Sequence, residues 1–413
     1  MDVFVARQAI LDRRKNLYGY ELLFRAGAAS QQFDGGQPEE ATAQVIANSL
    51  LNIGLPALLG GKLGGKKAFF NFDRTGLLSG LHSVLPQELT VVELLETVEA
   101  DTDVIAACRA LHKEGYQIAL DDFIVKSNTN ELTRWADIIK VDMRTTSRAG
   151  QERMLRTYGA RGIAMLAEKV ETHEEFEWAL QAGYDYFQGY FFARPQLMRD
   201  RQIPAAKMAC LRLLRELQAP ELDFQHLGLL ISTDVAFSYK LLRFVNSALF
   251  GHRGGISSIR SALMVLGETG IRRWVALAAL PTLASDKPDE LVTQSVLRAR
   301  FSSLLADAAG LPSSDQAFVM GLFSMLDALV DRPLDQVLEE TGVAAPVTAA
   351  LLGTAPAGEP LERIFSVIRE YEAGDWDAVE RSAGGLGIPV ASITMAYGSS
   401  LRWTAELLSN AVQ

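Results

Sequence analysis

From residue 3 to 195, apolar and polar positions alternate in short β-rich runs, and helical stretches separate the later ones. The alternation predicts strands at 3–11, 18–25, 67–72, 90–96, 117–123, 138–143, 162–168 and 186–192. Amphipathic helices are predicted over 39–54, 101–115, 130–136, 151–160 and 173–183. Asp101 and Thr172 serve as N-caps there, and Gly115 and Gly183 as stops. Strands alternating with helices argue for a parallel sheet covered by helices. Eight strands argue for a (β/α)8 barrel.

Near residue 200 the pattern changes. Pro195 and Pro204 flank a short joint, and beyond it the apolar residues recur at helical spacing to the end of the chain. Val235 to Asn246 and Ile259 to Leu266 read as amphipathic helices. Further helices are predicted over 290–310, 313–328, 333–341, 359–371, 374–383 and 390–409. The expected organisation is a barrel over residues 1–198 and an all-α domain over 199–413.

In such a barrel the chemistry sits at the C-terminal ends of the strands. The run Ile118-Ala119-Leu120-Asp121-Asp122-Phe123 delivers two adjacent carboxylates at its end. Alone, the pair reads as a surface turn, because Asp commonly opens turns and caps helices. Its neighbours carry similar loads. The second strand offers Glu21 and Arg25, the third Asn71, and the fourth Glu93 with Glu96. The sixth offers Lys140 and Asp142, the seventh Glu168, and the eighth Gln188. Converging carboxylates repel one another, so such a mouth needs a countercharge. Oxygen-rich sites of this kind suit Mg²⁺ or Mn²⁺, and Lys140 supplies a fixed positive charge beside them.

Composition narrows the function classes. The 413 residues are 48% hydrophobic and 22% charged, which describes a globular chain. A net charge of -10 argues against nonspecific nucleic-acid binding. Cys108 and Cys210 are the only cysteines, so no disulfide framework is implied. The start lacks a basic flank followed by an apolar signal core, and the most apolar stretch, Trp274 to Ala284, is interrupted by Pro281. The expectation is a cytoplasmic protein with no membrane span.

The strand-end residues resemble a known family, the EAL domain of cyclic di-GMP phosphodiesterases. Glu21-Leu22-Leu23-Phe24-Arg25 resembles E-A-L-x-R, and Asn71 in Phe70-Asn71-Phe72 matches the family's metal-binding Asn. Glu93-Leu94-Leu95-Glu96 resembles E-x-T-E, and Asp121-Asp122-Phe123 resembles D-D-F-G. Ile139-Lys140-Val141-Asp142 resembles I-K-x-D, Ala167 to Thr172 resembles A-E-G-V-E-T, and Gln188-Gly189-Tyr190 the closing Q-G-Y. The resemblance implies that Glu21, Asn71, Glu93, Asp121 and Glu168 bind two Mg²⁺ or Mn²⁺ ions. It implies that Asp122 and Gln188 assist, that Lys140 orients the attacking water, that Arg25 holds phosphate and that Glu96 steadies the loop after the Asp pair. The implied reaction is hydrolysis of cyclic di-GMP to linear pGpG, with a homodimer as the family's habit. The chain departs from the pattern at Ile124, at 125–130, at Lys169, where the family has Gly, and over 26–38.

The second half resembles HDOD domains. Lys240 to Ala248 resembles K-L-L-R-x-x-N-S-A, and Ala262 to Gly267 resembles A-I-x-x-L-G. Related hydrolases hold metal with an adjacent His-Asp, but Ser324 and Met325 stand at those positions in Gly321 to Leu326. These side chains cannot replace a divalent cation's hard ligands, so this half is expected to be regulatory or partner-binding. His226 is expected on a helix surface, Asn246 as a hydrogen-bonding residue under a turn, and Trp274 and Trp403 in the core. Two rivals to the enzyme stay open: a receptor that binds the dinucleotide or metal without turnover, and a barrel enzyme for another phosphoester.

Overall fold

The computed structural model describes residues 3–26, 54–60, 65–121, 131–195, 204–219, 221–233, 235–246, 256–356 and 358–411. Eight strands close a barrel in sequence order. They are β1 (Val3–Asp12), β2 (Leu17–Ala26), β3 (Lys67–Phe72), β4 (Thr90–Leu94), β5 (Gln117–Leu120), β6 (Ile138–Asp142), β7 (Ala164–Glu168) and β8 (Tyr186–Gln188). Outside them lie α1 (Leu55–Leu58), α2 (Arg74–Leu78), α3 (Thr102–Glu114), α4 (Arg148–Tyr158) and α5 (His173–Ala182).

The sheet is not all parallel, which corrects the sequence expectation. β1 runs antiparallel to both β2 and β8, while the other neighbours pair in parallel. The connection between β1 and β2 is far too short for a parallel crossover, so it closes as a hairpin. Asp12 holds that turn, its Oδ1 accepting from the amides of Arg14 and Asn16 at 2.8 Å. β1 therefore enters the barrel at the end where the other strands finish.

The predicted caps form. Asp101 accepts from the Val104 amide at 2.9 Å, Thr172 makes a capping box with Glu175, and Gly115 and Gly183 end their helices in left-handed conformation. The helix expected at 130–136 is instead a single 3-10 turn, Leu132–Arg134. That expected at 39–54 lies almost wholly outside the described residues.

Gly189 is fixed by close approach. Its φ is +141°, and a Cβ there would lie 2.1 Å from the Val170 carbonyl oxygen. The same contact lets the Val170 amide donate to the Gln188 carbonyl at 3.0 Å, joining the ends of β7 and β8. Gly189→Ala is expected to cost about 3 kcal/mol in urea unfolding, because both clash and strain must be relieved. A loss within about 0.5 kcal/mol, the usual scatter of neutral changes, would show that this joint yields freely.

The remaining helices are α6 (Ala205–Glu216), α7 (Phe224–Thr233), α8 (Val235–Val245), α9 (Ile259–Leu283), α10 (Asp289–Ala308), α11 (Ser314–Phe323), α12 (Leu326–Val330), α13 (Leu334–Thr341), α14 (Ala345–Leu352), α15 (Pro360–Ala373), α16 (Trp376–Leu386) and α17 (Val390–Ala411). The chain forms two compact units, and they do not divide at residue 198. The first comprises Met1–Arg194, Pro288–Thr293 and Ser366–Gln413, and the second Pro195–Lys287 and Gln294–Phe365. The C-terminal helices join the barrel's unit because their apolar faces bury there: α17 packs on β1 and α1, and Tyr371 and Tyr397 are buried.

Within the second unit, α9 breaks at Gly267, whose φ of 63° and ψ of -179° suit only glycine. The predicted helix Ile259 to Leu266 ends at that break. Asn246 grips the backbone of Ile256 from both sides, accepting from its amide at 2.6 Å and donating to its carbonyl at 2.7 Å. Trp274 is core, packed edge-on to Phe237, while Trp403 is half-buried and His226 exposed. Among the described residues, no helix is long and apolar enough to cross a membrane.

Candidate active site

Strand alternation stacks two layers inside the barrel. The lower is apolar and includes Ile10, Phe69, Val91, Ala119, Ile138 and Leu166, with Tyr186 packed against it. One pleat nearer the mouth, two residues further along each parallel strand, come Asn71, Glu93, Asp121, Lys140, Glu168 and Gln188. Glu21 on β2 and Gln8 on β1 pair in register at the same level, and Ile10 pairs with Gln188.

Lys140 is the centre of this polar layer. Its side chain is 1% exposed, and four carboxylates converge on its ammonium. Glu168 Oε1 lies at 2.7 Å, Asp121 Oδ1 at 3.1 Å and Glu21 Oε2 at 3.4 Å, with Glu93 Oε1 in direct contact as well. One cation facing four carboxyl groups leaves an excess of negative charge. Burial pushes the Glu93 carboxyl well above the usual range, and Glu21, Asp121 and Glu168 push it further against the pull of Lys140. Burial likewise raises Glu168 to about 8, with Asp121 and Glu21 adding to the shift and Lys140 opposing it. Burial also works to raise Glu21, but Lys140 and the amides of Gln188 and Asn71 outweigh it, and its carboxyl falls below the ordinary value. Burial works to lower Lys140, yet its four acidic neighbours hold it firmly as the ammonium.

The amides orient the acids. Asn71 Nδ2 donates to Glu21 Oε1 at 3.0 Å, and Gln188 Nε2 donates to Glu21 Oε2 at 2.7 Å. Among the described residues, three buried oxygens in this layer find no partner: Asn71 Oδ1, Glu93 Oε2 and Gln188 Oε1. Unpaired buried acceptors are costly, and a hard cation is one thing that satisfies them. Among the described residues, no three acidic, His or Cys side chains converge on a vacant point. The acids of this layer meet at the ammonium of Lys140 instead.

The structure thus brings together Glu21, Asn71, Glu93, Asp121, Lys140, Glu168 and Gln188. Glu96 is exposed in the turn after β4, outside the cluster. Asp122 and the residues after it to 130 lie outside the described residues, as do 27–53. Arg25 belongs to β2, where its backbone pairs with Phe4, but its side chain lies outside them too. Asp142 turns to the β6 loop, accepting from the amides of Arg144 and Thr145 at 2.6 and 3.1 Å. Its other oxygen takes Lys169 Nζ at 2.5 Å. Lys169 holds a left-handed φ of 55°, which glycine adopts without strain.

Sequence reading missed Gln8. Its Oε1 accepts from Gln188 Nε2 at 2.9 Å, and its own Nε2 donates to the Glu372 carbonyl at 3.4 Å. The available signal was a polar residue on the same strand face as Ile10, legible only once the direction of β1 is known.

Comparison with known proteins matches residues 74–195 to the EAL domain and residues 203–332 to the HDOD domain. Glu21 and Asn71 lie before the first of these stretches. A Vibrio cholerae protein named cyclic di-GMP phosphodiesterase CdgJ is 34% identical over 407 residues, covering 98% of this chain and 93% of its own. The uncharacterized Bacillus subtilis protein YuxH is 32% identical over 385 residues, covering 91% and 92%. Among solved structures, a standalone EAL protein from Vibrio cholerae O395 in its c-di-GMP-bound form is 29% identical. It covers 47% of this chain and 92% of its own, with a TM-score of 0.36.

Proposed function

The chain belongs to the family that joins an EAL domain to an HDOD domain, and on that premise we propose that its barrel hydrolyses cyclic di-GMP to linear pGpG with divalent metal. The observation that carries the reading is the polar layer around Lys140, where, among the described residues, four carboxyl groups meet one ammonium and three buried oxygens find no partner. That donor set is hard, anionic and buried, and it fits Mg²⁺ or Mn²⁺. Glu21, Asn71, Glu93, Asp121 and Glu168 would hold a pair of ions. Bound there, such ions supply an acidified water and a counter-charge to the phosphoryl oxygens.

The chain's own residues do the rest. Lys140, kept fully charged, offers a donor to an attacking water or to a phosphoryl oxygen between Glu168 and Asp121. Glu168, 2.7 Å from the Lys140 ammonium, is placed to accept a hydrogen bond from the water that Lys140 would orient. Gln188 and Asn71 hold Glu21 in one rotamer, which keeps its oxygens aimed into the layer. Arg25 and Asp122 keep the substrate and assisting roles implied by their motifs.

The helical domain is regulatory in this reading. Ser324 donates to the Gly321 carbonyl at 2.8 Å and receives Arg298 at 3.0 Å, and Met325 is buried. Neither position offers a hard metal ligand. Leu229, Tyr239 and Met264, each more than half exposed on α7, α8 and α9, are apolar groups suited to a protein partner.

Incubation of the full chain with cyclic di-GMP and Mn²⁺ or Mg²⁺ tests the proposal. The expected product is pGpG, lost in Glu21→Ala and in Lys140→Ala. Tight binding of cyclic di-GMP without pGpG would make the barrel a receptor, the reading favoured by the departures over 26–38 and 124–130.

A further inference from the structure

We propose that Gln8 and the C-terminal end of α15 are positioning elements of the barrel site, so that the segment after the helical domain sets the aim of Glu21. The proposal rests on the metal-dependent reading of that site.

The last carbonyls of a helix have no partner within it. In α15, those of Glu370 and Tyr371 take the amides of Asp375 and Gly374, at 3.0 and 3.1 Å. The carbonyl of Glu372 takes Gln8 Nε2 at 3.4 Å. A carbonyl accepts only, so it must face the NH₂ end of the Gln8 amide. Gln8 Oε1 is thereby turned inward, where it accepts from Gln188 Nε2 at 2.9 Å. Gln188 in turn must present its NH₂ group to both Gln8 and Glu21, the latter at 2.7 Å. The backbone acceptor at one end and the carboxylate at the other thus hold two amides in one head-to-tail order, with the helix end setting the direction of Gln8.

Without that anchor the Gln8 amide could turn over, set its NH₂ against that of Gln188 and remove the acceptor that holds the Gln188 donor beside Glu21. The helix end is seated at the mouth by two further contacts. Val5 donates its amide to the Tyr371 hydroxyl at 3.4 Å, and a Cβ on Gly374 would lie 3.1 Å from Leu23, two residues beyond Glu21 on β2. All these residues belong to the barrel's unit.

The test uses the full chain and Mn²⁺ alone as probe. Calorimetric titration of Gln8→Leu is expected to show affinity about tenfold below wild type, the scale of lost support behind a metal ligand. Gln8→Leu combined with Gln188→Leu should be no weaker than Gln188→Leu alone. Hydrogen exchange supplies a readout a merely structural residue would not move. Saturating Mn²⁺ should slow exchange across Tyr371–Trp376 in wild type but not in Gln8→Leu, while β4 stays protected in both. Wild-type affinity in Gln8→Leu, or protection of Tyr371–Trp376 that survives the substitution, would overturn the positioning role alone. A wild-type chain that binds no Mn²⁺ would overturn the metal reading and this one with it.

Discussion

Lys140→Met is expected to abolish measurable turnover and to cost the metal-free protein about 3–5 kcal/mol, the range for breaking a buried ion pair from one side. Methionine nearly keeps the shape, so the loss is one of charge. Glu21, Glu93, Asp121 and Glu168 all lie against the ammonium, and Glu93 is wholly buried there. Deprived of Lys140, they must either repel one another or take up protons. Divalent ions should restore stability, because they replace the missing countercharge, but not turnover, which loses its donor. Chemical denaturation of both proteins with and without Mn²⁺ separates these effects. A metal-free variant as stable as wild type would mean that the layer does not depend on this cation.

The polar layer was legible because strand geometry is simple. Asn71, Glu93, Asp121, Lys140, Glu168 and Gln188 each stand two residues after an inward apolar one, and a period of two is visible in a string of letters. The caps at Asp101 and Thr172 were legible for a similar reason, since capping is local chemistry. Strand direction was not. Nothing in Val3–Asp12 says which way it runs; the turn at 13–16 decides it, and a turn's length speaks only once the next strand is placed.

That single reversal hid Gln8. In an all-parallel barrel its level relative to the mouth would be misread, and its partners lie 180 and 364 residues away. The association of Ser366–Gln413 with the barrel was hidden too, because helical periodicity reports which face is apolar and not what covers it. Lys169 is an intermediate case. The letter is anomalous for a left-handed position, but its compensation by Asp142 emerges only when β6 and β7 lie side by side.

Glu168 gives the layer a pH dependence whose sign is fixed. Its carboxyl ordinarily titrates near 4.5 and is raised to about 8 in the folded, metal-free protein. Between those values the folded state keeps a proton that the unfolded state has released. Stability is then fully present below 4.5 and is lost as pH rises towards 8. The loss is about 1.4 kcal/mol for each pH unit spent in that window. Glu168→Gln lacks the titrating proton, so the wild type should fall relative to this variant as pH rises, and parallel curves would remove Glu168 as the source. Glu93, also raised by burial, adds a slope of the same sign to both proteins. Metal inverts the outcome. An ion at the layer displaces the protons that burial retains on Glu168 and Glu93, so Mn²⁺ affinity in wild type should climb with pH through the range up to about 8. Affinity that is flat across this range would mean that the ion does not compete for the Glu168 carboxylate.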